Sequence, residues 1–480
     1  MTELSFVKEA VAARSARTEA LAKEIWGYAE LAYQETRSAS ALCAALEEEG
    51  FAVQKSIADM PTAFVATFRA GSGKPVMGFL GEYDALDGLS QQASCTEKRP
   101  VAADGPGHGC GHNLLGAGSF AAAAAVKDYL VQEKKDGTVL YFGCPAEEGA
   151  GSKQFIARAG LFDNVDFVYT WHPATVNEVP SKGDVAIMGA NFIFDGVAAH
   201  AGASPHLGRS ALDAAELMNV GVNYLREHML PAARVHYAYS DAGGTAPNVV
   251  PDHAVIKYEV RAPKVSQMQE LFARVVNVAK GAALMTETQM HYEVTMAFSD
   301  YLPNKTLAAV AQRAFEELGA PAWTEEDFEQ AARFLRTYPR DTLKSIREEL
   351  TEYYPAEQVD EALKKPLDTN VHPFNALEKS YVSGSTDVGD VGYAAPTLSI
   401  HVATACLGNV GHSWQNTAFS GSAVGIKGME RAAEVMALAA IYTMASPEVM
   451  AAAKAEVLKK NGGRYVCPLP DYCQPPVGRY

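Results

Sequence analysis

The sequence has few of the features of a membrane, secreted or nucleic-acid-binding protein. Its 480 residues carry a formal net charge of -16, which argues against a nucleic-acid partner or an anionic membrane surface. No uninterrupted apolar run approaches the roughly 18 residues of a membrane span. The N-terminal segment is acidic and helical in pattern, without the basic start and apolar core of a signal peptide. We therefore expect a cytoplasmic protein with no nucleic-acid or membrane partner.

Several familiar sequence patterns are missing as well. The seven cysteines are odd in number and widely spread, which is not typical of a disulfide framework. The chain has no H-E-x-x-H zinc motif and no G-x-S-x-G nucleophile turn. The segment GSGK at 71–74 lacks the first glycine of a phosphate-binding loop. These absences exclude several hydrolase classes and leave Cys110 available as a metal ligand in a reducing compartment.

The chain is long enough for two or three domains. Its first part alternates strands with helices, which is typical of a mostly parallel α/β sheet. The predicted helices of this part are two within 1–50, then 113–133 and 153–159, and the predicted strands are 64–68, 76–80, 137–142 and 165–170.

The pattern changes from about residue 186. The order there is β-α-β-β-α-β, which predicts a ferredoxin-like α+β domain inserted over 186–302. Its predicted strands are 186–198, 235–240, 253–261 and 289–297, and its predicted helices are 209–228 and 266–284. Residues 303–380 are charged and helical. A strand at 399–405, a helix at 425–444 and an irregular tail after 461 follow, so the first domain comprises 1–185 and 303–480.

Potential metal ligands occur where the predicted strands end. Asp84 and the pair Glu147–Glu148 each follow an apolar strand, and ligands bind at this edge of open α/β sheets. One glutamate of the pair could bind a metal while the other takes a proton from water. Asp84 could orient a ligand imidazole, and Asp387 is a weaker candidate for such support. Five side chains could hold two ions: Cys110, His112, Glu148, His172 and His412.

The inserted domain carries a second group of candidates, His200, His206, Asn248 and Arg261. An arginine and an asparagine in a cleft would suit a substrate carboxylate. Taken singly, each of the four is more often structural than functional.

The motif set resembles the M20 family of metallopeptidases and amidohydrolases over nearly the whole chain. The Cys-Gly-His form is similar to the branch that contains N-acyl amino-acid and auxin-conjugate hydrolases. The motifs that carry the resemblance are GEYDAL, HGCGHN, PAEEGAGS, TWHP, APNVVPD, STDVGDV and GHSWQ.

The resemblance implies a catalytic α/β domain and a ferredoxin-like lid through which two copies dimerise. It also implies two divalent ions per subunit, zinc or manganese, on the five ligands named above, with Glu147 as general base. His200 would reach a neighbouring subunit's active site and stabilise an oxyanion, while Asn248 and Arg261, assisted by His206, would hold a carboxylate. The chain departs from the family's His-x-Asp motif, because Glu82 stands where a ligand histidine would be.

The activity so implied is metal-dependent hydrolysis of a small-molecule amide. The foremost substrate is p-aminobenzoyl-glutamate or a related aminoacyl-glutamate. A dipeptide or another N-acyl amino acid is an alternative. A non-catalytic subunit of a heteromeric amidohydrolase is another, although the retained Glu147 and ligand set argue against it. In a fourth interpretation Cys110 is a nucleophile, which sensitivity to chelators would distinguish.

Overall fold

The computed structural model describes residues 2–478 and contains two main β-sheets. The strands are β1 (Ala52–Lys55), β2 (Phe64–Ala70), β3 (Val76–Gly81), β4 (Gly137–Gly143), β5 (Phe167–Ala174), β6 (Gly183–Asp184), β7 (Ala186–Asp195), β8 (Arg234–Asp241), β9 (His253–Ala262), β10 (Gln289–Phe298), β11 (Tyr381–Val382) and β12 (Thr397–Ala403). The α-helices are α1 (Glu3–Ala12), α2 (Ser15–Tyr28), α3 (Thr36–Glu48), α4 (His112–Gln132), α5 (Lys153–Arg158), α6 (Ala211–Leu225), α7 (Val265–Thr286), α8 (Lys305–Leu318), α9 (Glu325–Leu335), α10 (Arg340–Leu350), α11 (Ala356–Ala362), α12 (Val388–Ala394), α13 (Trp414–Ser420), α14 (Ala423–Met444) and α15 (Pro447–Asn461).

The larger sheet has the order β1-β2-β4-β3-β5-β12. The pairs β4–β3, β3–β5 and β5–β12 are parallel, whereas β1–β2 and β2–β4 are antiparallel. Its central strands are almost entirely buried, as expected where helices cover both faces. The parallel strands end at one edge, and this edge carries the acidic residues that the sequence placed after them.

The helix α4 lies in the core beside α14. Its alanine-rich stretch 121–125 is fully buried, because small side chains let neighbouring helices and the sheet approach closely. By length and composition alone α4 could span a membrane, as could the bent pair α14–α15. However, 78% of the apolar window of α4 is buried within the protein, as in the core helix of a globular domain.

The second sheet is antiparallel, with the order β10-β7-β9-β8. Along β9 the residues alternate between buried and less buried, which is typical of a sheet covered on one face. The helices α6 and α7 pack on that face. This strand order is ferredoxin-like, so the predicted fold class of a mostly parallel sheet with a separate α+β unit is confirmed.

Two adjacent chain crossings, which we call the neck, join the two sheets, and the hydrophobic core of the antiparallel unit continues into the larger domain. Here Asp184 and Tyr301, which flank the antiparallel unit in sequence, exchange backbone hydrogen bonds of 2.9 and 3.1 Å. The backbone N–H of Val185 donates to the carbonyl of Gly384 at 2.9 Å, which attaches the neck to the larger domain. The chain therefore leaves and re-enters the larger domain at adjacent points.

Some predicted elements were wrong in detail. Residues 1–50 form three helices rather than two, because the chain breaks near Ala13 and again at Ala29, whose φ of 46° is left-handed. The strand predicted at 165–170 extends to Ala174, so His172 lies within β5 and does not follow it. The helix α15 was missed although Ser446 caps it and Pro447 occupies its first turn, a common helix-start pattern. After Asn461 the described chain has no further helix or strand.

Candidate metal centre

The loop before α4 brings Cys110 and His112 to the edge of the larger sheet. Gly111, at the N-cap of α4, has a φ of 79°, a conformation that glycine adopts without strain. A side chain there would also meet the ring of Pro173 at 3.1 Å. The turn lets Cys110 approach β5, while His112 points from the first turn of α4 toward the acidic residues.

Two groups of three possible ligands share one thiol. Within each group the ligand atoms lie within 4.8 Å of one another. The first group is Cys110, His112 and His172, and the second is Cys110, Glu148 and His412. A thiolate shared in this way would place two ions side by side, and the mixture of sulfur, imidazole and carboxylate suits zinc-like divalent ions.

Hydrogen bonds fix the orientation of two of these imidazoles. His112 Nδ1 lies 2.8 Å from Asp84 Oδ1, and His172 Nδ1 lies 2.8 Å from the carbonyl oxygen of Pro173. With Nδ1 as donor, each Nε2 is left as an acceptor that faces the cluster, and that of His172 lies 3.4 Å from Cys110 Sγ. Ligand histidines are commonly held in this manner. Asp84 also accepts the backbone N–H of Glu148, so it orients two of the candidate ligands.

His412 completes the second group from a strained loop. Its φ of 52° is unusual for a residue other than glycine, and such strain is concentrated at functional sites. Its Nε2 lies 3.1 Å from Glu148 Oε1. Burial raises the pKa of Glu148, but the hydrogen bond from His412 and the charge of His112 outweigh that effect and lower the pKa to about 2.

Buried atoms without hydrogen-bond partners test whether a cation fits here. They include Glu82 Oε2 and His112 Nε2, both at the cluster. Unsatisfied buried acceptors are costly and therefore rare in native proteins. Burial raises the pKa of Glu147 well above its usual range, and the nearby carboxylates of Glu82 and Glu148 raise it further. The donor set therefore fits divalent cations that would supply the missing partners.

A buried lysine, which the sequence did not indicate, pairs with two carboxylates beside the centre. Lys153 is fully buried, and its Nζ lies 2.7 Å from Glu82 Oε1 and within hydrogen-bonding distance of Asp387. Glu82 turns its other oxygen toward His112 Nε2 at 3.3 Å. Asp387 also accepts the backbone N–H groups of Ser152 and Lys153. Asp387 thus supports a lysine rather than a ligand imidazole.

The cluster lies in a cavity of about 890 Å³. Cys110, Glu147, Glu148, His172 and His412 all line it. His112 lies behind them, with its Nε2 4.0 Å from both Glu147 Oε2 and Glu148 Oε1. The structure therefore brings together the five predicted ligands and the predicted base.

The four candidates of the antiparallel domain are placed differently. His200, His206 and Asn248 are exposed near one end of that domain, and their hydrogen bonds stay within it. His200 Nδ1 accepts the N–H groups of two following residues, so Nε2 is left as an outward donor. Only Arg261 contacts the cavity wall, because its Nη1 donates to Ser385 Oγ at 3.2 Å.

Comparison with known proteins agrees with the fold and identifies the family. A family model described as Peptidase family M20/M25/M40 matches residues 78–441. The chain belongs to this family, as its motifs indicated, and is a metal-dependent amidohydrolase.

Two relatives and one solved structure illustrate the relationship. The chain is 39% identical over 474 residues to a p-aminobenzoyl-glutamate hydrolase subunit of Escherichia coli K12, covering 98% of each. It is 33% identical over 340 residues to Xaa-Arg dipeptidase of Mus musculus, covering 68% of this chain and 74% of the relative. A Bacillus subtilis protein described as a dinuclear metal-binding peptidase of the M20 family has the same fold, with a TM-score of 0.57, 17% identity and coverage of 90% of this chain and 99% of that one.

Because both ligand groups include Cys110, its removal should change the number of metal ions that the protein binds. We expect about two zinc ions per native chain after loading and dialysis. Cys110→Ala should reduce binding of both ions, because it removes a ligand from each group. His412→Ala should weaken mainly one ion. Inductively coupled plasma mass spectrometry measures the stoichiometry, and a Cys110→Ala protein that keeps both ions at native affinity would refute the shared-thiol arrangement.

Lys153→Met should strongly destabilise the protein. The substitution leaves the buried carboxylates of Glu82 and Asp387 without their cation, which typically costs about 3–5 kcal/mol. Urea unfolding of the metal-free protein measures the change. Lys23→Met is the matched control, since Lys23 forms an exposed pair with Glu19 and its loss should change the midpoint little. Equal midpoints for the two variants would contradict a stabilising role for the buried pair.

Proposed function

We propose that this protein hydrolyses the amide bond of an N-acyl amino acid, foremost p-aminobenzoyl-glutamate or a related aminoacyl-glutamate. The observation that carries the proposal is the position of Glu147, a base of raised pKa beside two ligand groups that share Cys110. Similarity to the E. coli p-aminobenzoyl-glutamate hydrolase subunit along 98% of both chains supports the substrate. The thiol ligand favours zinc over manganese on grounds of softness.

In this proposal Glu147 moves the protons of the reaction. Bound divalent ions would supply Lewis-acid chemistry, polarising the attacking water and the amide carbonyl. Glu147 accepts the proton of the water and passes it to the leaving amine. Burial and the neighbouring carboxylates raise the pKa of Glu147, which strengthens it as a proton acceptor. Glu148, whose pKa is lowered to about 2, stays ionised as a ligand.

The substrate carboxylate belongs at the Arg261 side of the cavity. Arg261 contacts Ser385, and its Nε is buried without a hydrogen-bond partner. Nη2 of Arg261 lies 3.3 Å from Glu259 Oε2, so the Nε–H group is the donor left for a substrate carboxylate. His200, Asn248 and His206 are outside the cavity of their own chain, so we assign them to the active site of a neighbouring subunit. There the outward Nε2–H of His200 could stabilise an oxyanion.

A homodimer formed through the antiparallel domain would bring those residues to the active site of the neighbouring subunit. Strand β8 is an edge strand whose residues are nearly all exposed, including Tyr237 and Tyr239. Val220 and Tyr224, one turn apart on α6, are 50% and 76% exposed. The amide of Asn219 donates to the Tyr239 hydroxyl, so this apolar helix face adjoins the edge strand. An unpaired edge beside an apolar face suits a second copy of the chain.

Two alternative functions would use the same metal centre. A dipeptide substrate is suggested by the similarity to Xaa-Arg dipeptidase, and a panel of amides separates it from aminoacyl-glutamates. The E. coli relative is named as one subunit of a hydrolase, so a heteromeric assembly is the other alternative. A nucleophilic Cys110 is disfavoured, because burial raises the pKa of its thiol and lowers that of the adjacent His172 to about 4.

Glu147→Gln should strongly reduce turnover without loss of the bound metal. We expect the purified metal-loaded chain to release glutamate from p-aminobenzoyl-glutamate, and chelation to stop the release. Glu147→Gln should lower kcat by a factor of about 10² to 10⁴, since proton transfer is lost. Its metal content should equal that of the native protein. The control Glu378→Gln alters a partly exposed carboxylate at the cavity rim and should keep native turnover. Undiminished turnover in Glu147→Gln would eliminate the assigned role.

A charged residue on the α6 face should separate the dimer. Tyr224→Asp places a carboxylate in the proposed contact, where its desolvation is unfavourable. We expect light scattering after size exclusion to show dimers for the native protein and monomers for this variant. Turnover should fall with dissociation, because His200 would leave the partner's site. Tyr472→Asp changes a similarly exposed tyrosine of the C-terminal tail and should remain dimeric. A monomeric native protein with full activity would overturn the proposed assembly.

A further inference from the structure

The cavity continues beyond the metal centre into a second part, which we call the distal lobe and define by Glu178, Tyr353, His372 and His401. The register of β12 on β5 places His401 beside His172, with ring centroids 6.2 Å apart. Tyr353 follows α10, so the charged helical segment forms one wall of the lobe. The distal lobe therefore begins at His401, the β12 residue that pairs with the candidate metal ligand His172 on β5.

One carboxylate oxygen of Glu178 accepts two hydrogen bonds, and the other accepts none from the residues that the structure describes. The Tyr353 hydroxyl donates to Glu178 Oε1 at 3.2 Å, and His401 Nδ1 lies at the same distance from that atom. Glu178 Oε2 has no hydrogen-bond partner in the described residues, although the side chain is only 17% exposed and lines the cavity. Burial raises the pKa of Glu178, but the hydrogen bond from His401 outweighs it and the pKa is lowered. An ionised acceptor is thus held in place with one oxygen available.

The surroundings of Glu178 do not supply a cation. Within residues 2–478 no lysine or arginine lies within 4.0 Å of Glu178 or of Asp184, a second cavity carboxylate. Lys182 is paired with Glu352 at 2.6 Å near the rim. His372 is paired with Asp368 at 3.0 Å. Apart from the two donors on Glu178 Oε1, this part of the cavity therefore carries two carboxylates without a paired lysine or arginine, which disfavours an anionic group and favours a hydrogen-bond donor.

We propose that the distal lobe binds the acyl side of the substrate and selects acyl groups that carry an amino group, with Glu178 Oε2 accepting its N–H. The selection rests on the proposed amidase function. The substrate carboxylate is assigned to the Arg261–Ser385 wall, so an amide held at the metal centre extends its acyl group toward His401 and Glu178. An aromatic amine would also contact the ring of Tyr353.

The test compares two substrates that differ only in the amino group, p-aminobenzoyl-glutamate and benzoyl-glutamate. The native enzyme should show a kcat/KM about tenfold or more higher for the amino compound, as expected for a hydrogen bond to a buried charged acceptor. Glu178→Gln should lower the kcat/KM ratio of the amino compound to benzoyl-glutamate to about one, with an unchanged metal content. In this variant the glutamine oxygen takes the place of Glu178 Oε1 and accepts the hydrogen bonds of Tyr353 and His401. Its NH₂ group then faces the cavity and cannot accept a hydrogen bond from the amino group of the substrate. Glu352→Gln, at the rim, should keep the native preference.

Binding measurements separate failure of this inference from failure of the proposed function. Thermal unfolding of the metal-loaded protein is measured with 4-aminobenzoate and with benzoate, whose carboxylates are alike. A larger stabilisation by 4-aminobenzoate that disappears in Glu178→Gln supports the distal lobe even if neither amide is cleaved. Equal kcat/KM values for the two amides, equal stabilisation by the two acids, or a preference retained in Glu178→Gln would overturn the inference. Cleavage without preference would leave the proposed amidase function intact.

Discussion

The structure depends on a concentration of acidic groups that are buried together at the edge of the larger sheet. Glu82, Asp84, Glu147 and Glu148 lie within reach of one imidazole, that of His112. Such a group is unstable in a protein interior unless positive charge compensates it. Lys153 supplies one charge from the protein, and the unsatisfied acceptors that remain are those that divalent cations would satisfy. Folding and metal binding are therefore linked at this edge.

The two sides of the metal centre differ in burial and in the elements that carry their residues. Behind it, Lys153 and Asp387 tie the loop after β4 to the start of α12, and every group there is buried. In front, His412 comes from a loop and is more than half exposed. The rigid side fixes the carboxylates, whereas the loop side can admit a substrate. This division is useful for catalysis, which needs fixed charges and an accessible reaction site.

The sequence could indicate which side chains lie together at the centre because they come in short local motifs. Cys110 and His112 share one turn, and Glu147 and Glu148 follow one strand, so their proximity needs only a parallel sheet. Lys153 could not be found in this way, since its partner Asp387 is distant in sequence and a lone lysine at the start of a helix is usually solvated. The distal lobe was missed for a similar reason. Glu178, Tyr353 and His401 meet only through packing of the helical segment, which has no distinctive motif.

The neck between the two domains has a mechanical consequence. Both chain crossings lie at Asp184 and Tyr301, and the hydrophobic core of the antiparallel domain continues into the larger domain. The thiol of Cys473, in the C-terminal tail, also contacts the carbonyl oxygen of Val294 on β10. The contact of Arg261 with Ser385 crosses the same junction. In the proposed binding mode, the packing of this shared core sets the distance between Arg261 and the metal ligands, so the length of molecule that the enzyme accepts becomes a property of the junction between its domains.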